Sequence, residues 1–360
     1  MATAGSLAQL RSAAFGATPG ADVFAAAAAA DPRARWLAAV VLGGQGHYAA
    51  AATALRDLLG NPPGNRLGYL PGGLLAHPAP PWASLAASTL ASHRRQLGAH
   101  AAARRLDALA LRLTRPQPPR SRNDAPPHLP RDPDGVDAAG ARADALIGLA
   151  ADAIGLGELG AAGRLLAAAD ATTDAGHRAW RLAVRLDWVR AELSLASGSP
   201  ADAIEPARRA LRRAEEAAAL RHVAKSQLVL AAALHASGDH PTADALLHDL
   251  TAVADEHGLV PLRWPAELLL TQLHGTTHAS ADRGTPTGTE HAEHHRAAAS
   301  TALRVVLRRA DATLRTAAKS SLWVPSEVLQ TGDSAERSSA GEILSKFCIR
   351  LCQGSTPRDR

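Results

Sequence analysis

Apolar and polar positions follow a helical rhythm along most of the chain. Between 178 and 197, Leu182, Leu186, Val189 and Leu193 recur at i, i+4, i+7 and i+11, and Val184, Trp188, Ala191 and Leu195 repeat that spacing on a second stripe. A helix apolar on two stripes is buried from two sides, as a layer inside a stack must be. Similar runs, broken by Gly or Pro, predict helix hairpins over 33–60, 82–114, 137–175, 178–219 and 222–257. A distorted sixth pair is predicted from 264–273 and 291–318. Ser199-Pro200 reads as a cap and first-turn proline, and Pro206 predicts a kink or a late start in the helix that follows.

The breaks recur. Gly46, Gly98, Gly157, Gly198 and Gly238 are each followed five residues later by alanine: Ala51, Ala103, Ala162, Ala203 and Ala243. The last three glycines stand 41 and 40 residues apart, a period that belongs to stacked helix pairs. Residues 1–32 then read as capping helices interrupted at Thr18-Pro19-Gly20, and 33–115 as the first two hairpins. Seven prolines within 116–134 make 116–136 a linker or insertion. Residues 137–318 hold pairs three to six, with a polar loop at 275–289. From 319 to 360 alanine thins out and serine rises, as in a disordered tail or one short helix.

Composition supports an all-α chain. The 360 residues include only 14 Val and 5 Ile, little material for a sheet. Both cysteines, Cys348 and Cys352, lie in the last segment, so a disulfide framework is excluded for the body. No stretch approaches a membrane span, and the expectation is a cytoplasmic protein. The formal charge is +5, with 36 of 39 basic residues arginine, a bias that looks like GC-rich bacterial coding.

The repeated units resemble the tetratricopeptide repeat. The matching positions are Leu42, Gly46, Tyr48, Ala51, Leu55 and Pro63; Leu146, Leu149, Ala150, Gly157, Leu159, Ala162, Leu166 and Ala169; and Leu230, Ala231, Leu234, Ala243, Leu247 and Leu250. The spacing of about 40 exceeds the family's 34 and looks more like the degenerate repeats in sensor arms of large bacterial transcriptional regulators. The resemblance covers roughly 33–257. It implies a right-handed α-α superhelix, a curved rod whose first helices line an elongated concave groove. Carried over, the groove residues are Arg33, Trp36, Arg95, Arg185, Trp188, Glu192, Lys225 and His235. The implied function is a protein-binding scaffold or adaptor holding a partner segment in that groove. The alternative is a regulatory module of a transcription system that senses a ligand or touches nucleic acid.

Chemistry is sparse by comparison. Gly155-Leu156-Gly157-Glu158-Leu159-Gly160 matches a dinucleotide pattern, but the pattern needs a preceding strand and finds a helix. His291, His294 and His295 lack a zinc-protease arrangement and read as a solvated helix start. Arg208, Arg209, Arg212 and Arg213 form a stripe without interleaved aromatics, as do Arg304, Arg308 and Arg309. No enzyme, cofactor or metal is expected from these patterns.

Overall fold

The computed structural model describes residues 4–60, 81–114, 132–172, 179–276, 287–321 and 324. These form fourteen α-helices and no strand among the described residues. In chain order they are α1 (Ala4–Phe15), α2 (Pro32–Gly44), α3 (Tyr48–Leu58), α4 (Pro81–Arg95), α5 (His100–Leu113), α6 (Ala138–Gly155) and α7 (Leu159–Thr172). Then come α8 (Trp180–Ala196), α9 (Pro200–Glu216), α10 (Leu220–Ala236), α11 (His240–Glu256), α12 (Val260–Thr276), α13 (Thr287–Arg308) and α14 (Ala312–Lys319). A short 3-10 turn covers Ala25–Ala28. The expected linker lies mostly, and the tail almost wholly, outside the described residues.

Consecutive helices pack on one another as an all-α, solenoid-like array. The period has a simple physical origin. From α8 to α12 every helix is 17 residues long, and a three-residue link joins each to the next. The middle residue of each link is left-handed: Gly198, Ala218, Gly238 and Gly258. In each link the next amide bonds back to the fifth residue before it, as in Ser199 N to Ser194 O (2.9 Å) and Leu259 N to Ala254 O (2.8 Å). This satisfies carbonyls left open at the helix end. The 40-residue repeat is therefore two 20-residue units, each one helix and one link. The five alanines that follow the glycines are fully buried, where small side chains let paired helices cross closely.

Three expectations are adjusted. Pro206 neither delays nor ends α9, which runs from Pro200 through it. The helix expected over 291–318 is two helices, because Asp311 caps α14 by accepting from Leu314 N (2.8 Å). The array is also not an open rod, because its two ends meet. Ala49 N donates to Arg309 O (2.8 Å), the Arg309 guanidinium donates to Gln45 O (2.9 Å), and Arg56 pairs with Asp311 (3.0 Å). Tyr48 and Leu97 share one core with Trp264, Leu268, Leu303 and Val306. On the other flank Leu220 N donates to Gly16 O (3.1 Å). The N-terminal segment thus bridges to α10 and α13, and the concave face closes around a centre.

Ala218 has a φ of +48°, where its three counterparts in the array have glycine. A Cβ in this region costs about 1 kcal/mol. Ala218→Gly is expected to stabilise the protein by roughly 0.5–1 kcal/mol in reversible denaturant unfolding; a loss of stability would contradict the strain assigned to this link.

Candidate functional site

The first helices of the six pairs, α2, α4, α6, α8, α10 and α12, turn one face each toward a central cavity of about 380 Å³. That size suits a small molecule. The wall is apolar where Phe15, Trp36, Trp188, Leu262 and Trp264 contribute, and cationic where Arg95, Arg181, Arg185, Arg221 and Lys225 contribute. Aromatic residues are only 3% of the chain, yet they gather here. Phe15 lies 5.8 Å from Trp36 and 6.1 Å from His222, and Trp188 stacks on His222 at 5.6 Å.

Most of the charges hold one another. Arg95 bonds to the buried carboxylates of Asp107 and Asp152, the latter at 2.8 Å. Burial pushes the Asp107 carboxyl up against the pull of Arg95, and Asp152 adds to the rise. Arg181 and Arg185 share the single carboxylate of Asp144 (2.6 and 2.9 Å). Lys225 sits 3.4 Å from Glu192 and 6.0 Å from the centre of the Trp188 ring.

Arg221 is different. No carboxylate pairs with it among the described residues, and its Nε has no hydrogen-bond partner. The surface it keeps faces the cavity. Burial first, and then Arg185 and Arg181 as like charges, lower its pKa to about 10. Burial, and then the charges of Arg221, Arg181 and Arg185, hold His222 well below the usual imidazole range.

Glycines make these polar groups possible. A Cβ at Gly44 would come within 2.8 Å of Arg221 Cδ. At Gly43 it would overlap the His93 ring, at Gly148 the Asp107 carboxylate, and at Gly155 the His100 ring. Gly155 thus seats an imidazole at the end of α6, and the dinucleotide-like run around it spans a helix–helix turn.

Of the expected groove residues, Trp36, Arg95, Arg185, Trp188, Glu192 and Lys225 line the cavity. Arg33 and His235 lie outside that lining. The Arg33 guanidinium is drawn to Asp132 (3.1 Å), and the His235 ring meets His240 (3.1 Å between Nδ1 atoms). Arg181, Arg221, His222 and His93 were not anticipated. A signal for two of them exists: Arg181 and Arg221 each lie four residues before an expected groove residue, one turn along the same face. Of the arginine stripe on α9, Arg209 (3.0 Å) and Arg213 reach the buried Asp187, Arg212 pairs with Glu205 (3.1 Å) at the surface, and Arg208 is exposed.

No family model matches the chain, and no curated protein matches its sequence. The site therefore has to be read from its own chemistry. Among the described residues no helix is long and apolar enough to cross a membrane.

His93 is buried, stacks on Tyr48 at 4.9 Å, and has its pKa lowered to about 3 by burial and then by Arg221. The unfolded chain, with an ordinary imidazole near 6.5, binds the proton more tightly. Stability from this group is therefore full above about pH 6.5 and is lost as pH falls toward 3. Between pH 7 and pH 5 the wild type is expected to lose about 2 kcal/mol more than His93→Phe, measured by urea unfolding at both pH values. Equal losses would show that His93 is not held neutral by the fold.

Proposed function

We propose that the protein is a cytoplasmic, non-catalytic binding module, a tetratricopeptide-like array that senses a small anionic molecule in its central cavity. The observation that carries this reading is Arg221, an enclosed guanidinium with no carboxylate paired to it among the described residues, set against an apolar and aromatic wall. A buried charge is costly when unpaired, and a guanidinium matches carboxylate and phosphate geometry. The ligand that answers the wall has one anionic group for Arg221 and an apolar or aromatic body for Trp36 and Trp188. A binder is favoured over an enzyme because the other charged groups of the wall are engaged with one another, and His93 and His222 stay neutral where a general base would need to titrate near pH 7.

A partner protein's segment is the second reading. It is favoured by the extent of the wall, which draws on all six inner helices. Nucleic acid is less favoured, since three of the four α9 arginines pair with carboxylates, Arg209 and Arg213 with Asp187 and Arg212 with Glu205.

The test is a thermal-shift screen with aliphatic and aromatic carboxylates and phosphate monoesters, repeated on Arg221→Met. At least one compound is expected to raise Tm, because ligand at 100 times its Kd adds about 2.7 kcal/mol. The variant is expected to fold and to lose that shift. A screen without any shift, or a shift that survives in Arg221→Met, rejects the reading.

A further inference from the structure

A second constellation lies outside the cavity, on the three helices α11, α12 and α13. His248, His274 and His295 come from one helix each, and one ligand nitrogen from each ring lies within 4.8 Å of the others. The ring centres of His274 and His295 are 5.1 Å apart, and His248 lies 5.9 Å from His295 and 6.3 Å from His274. Three imidazoles brought this close, from positions far apart in sequence, form a donor set of the kind that binds late first-row metals.

The carboxylates around the rings have the placement such a site requires. His295 Nδ1 donates to Glu267 Oε2 (2.7 Å), which leaves Nε2 as the coordinating atom. Glu267 is itself buried and held by Arg263 (3.4 Å). His274 Nε2 donates to Asp244 Oδ1 (2.8 Å), which gives Nδ1 the coordinating role. The second oxygen of Asp244 lies 3.6 Å from His248 Nε2. Carboxylates behind ligating histidines fix ring orientation and raise donor strength.

We propose that His248, His274 and His295 bind one divalent transition-metal ion of the zinc type. Tetrahedral coordination with bonds of about 2.0–2.1 Å asks for nitrogens about 3.4 Å apart. His248, exposed where the other two rings are half-buried, has room to turn toward that spacing. Three protein ligands leave a fourth position for water. The ion fastens α13 to α11 and α12, at the end of the array where α13 carries the closing contact to Ala49. Of the histidines that stand out in sequence at 291, 294 and 295, only His295 takes part; its partners are supplied by the fold.

The experiment uses the full chain without a histidine tag. Calorimetry with Zn²⁺ and visible spectroscopy with Co²⁺ are expected to show one ion per chain and the strong bands of a tetrahedral cobalt centre. His248→Ala, at an exposed position, is expected to keep the circular dichroism of the native protein and to weaken binding by more than tenfold. Glu267→Gln, which removes an orienting charge but no ligand, is expected to weaken it about 10- to 100-fold. No stoichiometric binding overturns the proposal. So does unchanged affinity in both His248→Ala and His274→Ala, which would place the ion on other histidines.

Discussion

The seam between the two ends of the array is the constraint on which the rest depends. Stacked hairpins alone give an open, concave face whose side chains meet water. Here the Ala49 amide, the Arg309 carbonyl and the apolar core around Tyr48, Leu303 and Val306 tie the α2–α3 turn to α13. The left-handed Gly46 is part of this seam, since a Cβ there would lie 3.4 Å from the side chains of Pro261 and Val306. Once the ends are joined, the inner faces of six helices enclose a common space. Charges on those faces then lie in a medium less polar than water, where each is worth more and costs more.

Much of this was legible in the chain, and the limit has a physical cause. Helix spacing, the glycine links and the buried alanines are local features, each written within about 20 residues. Trp36, Arg95, Arg185, Trp188, Glu192 and Lys225 could be placed on inner faces because the resemblance to tetratricopeptide repeats assigns the groove to first helices, with helical spacing a check on which residues share a face. Arg33 and His235 satisfy the same periodicity and yet lie outside the cavity. Their direction is set by Asp132 and His240, which periodicity does not weigh. Closure was not legible at all. It depends on contacts across more than 250 residues, such as Arg56 with Asp311, and no local pattern encodes them. Ala218 was hidden for the opposite reason. It occupies a glycine's place with an ordinary residue, and this masks the 20-residue unit inside the 40-residue one.

The inner helices also surrender stability. Glycine within a helix costs about 1 kcal/mol relative to alanine. In a chain so rich in alanine, glycine at 43, 44, 148 and 155 is conspicuous. Each admits a polar group, His93, Arg221, Asp107 or His100, where a methyl would overlap it. Burying such groups adds a desolvation cost of its own. Packing therefore cannot be what these four positions serve. An apolar interior of alanine and leucine, as on α7, α9 and α11, would hold the array together better. The outer helices show that alternative, with Ala203, Ala207, Ala210 and Ala214 forming the whole buried face of α9.

The balance of charge within the wall narrows what that cost is for. Asp144 answers two guanidiniums, Glu192 answers Lys225, and Asp107 with Asp152 answers Arg95. A purely structural network would match Arg221 in the same way, because an unmatched enclosed cation weakens the fold without adding order. Instead Arg181 and Arg185 repel it, and Gly44 clears the room for its side chain. An anion entering the cavity would relieve that repulsion, so the electrostatic energy held in the unliganded wall would appear as affinity. The same anion would also join α10 to the arginines of α8, stiffening the layers that meet the N-terminal segment at Gly16. Occupancy of the cavity would thus be coupled to the seam that encloses it.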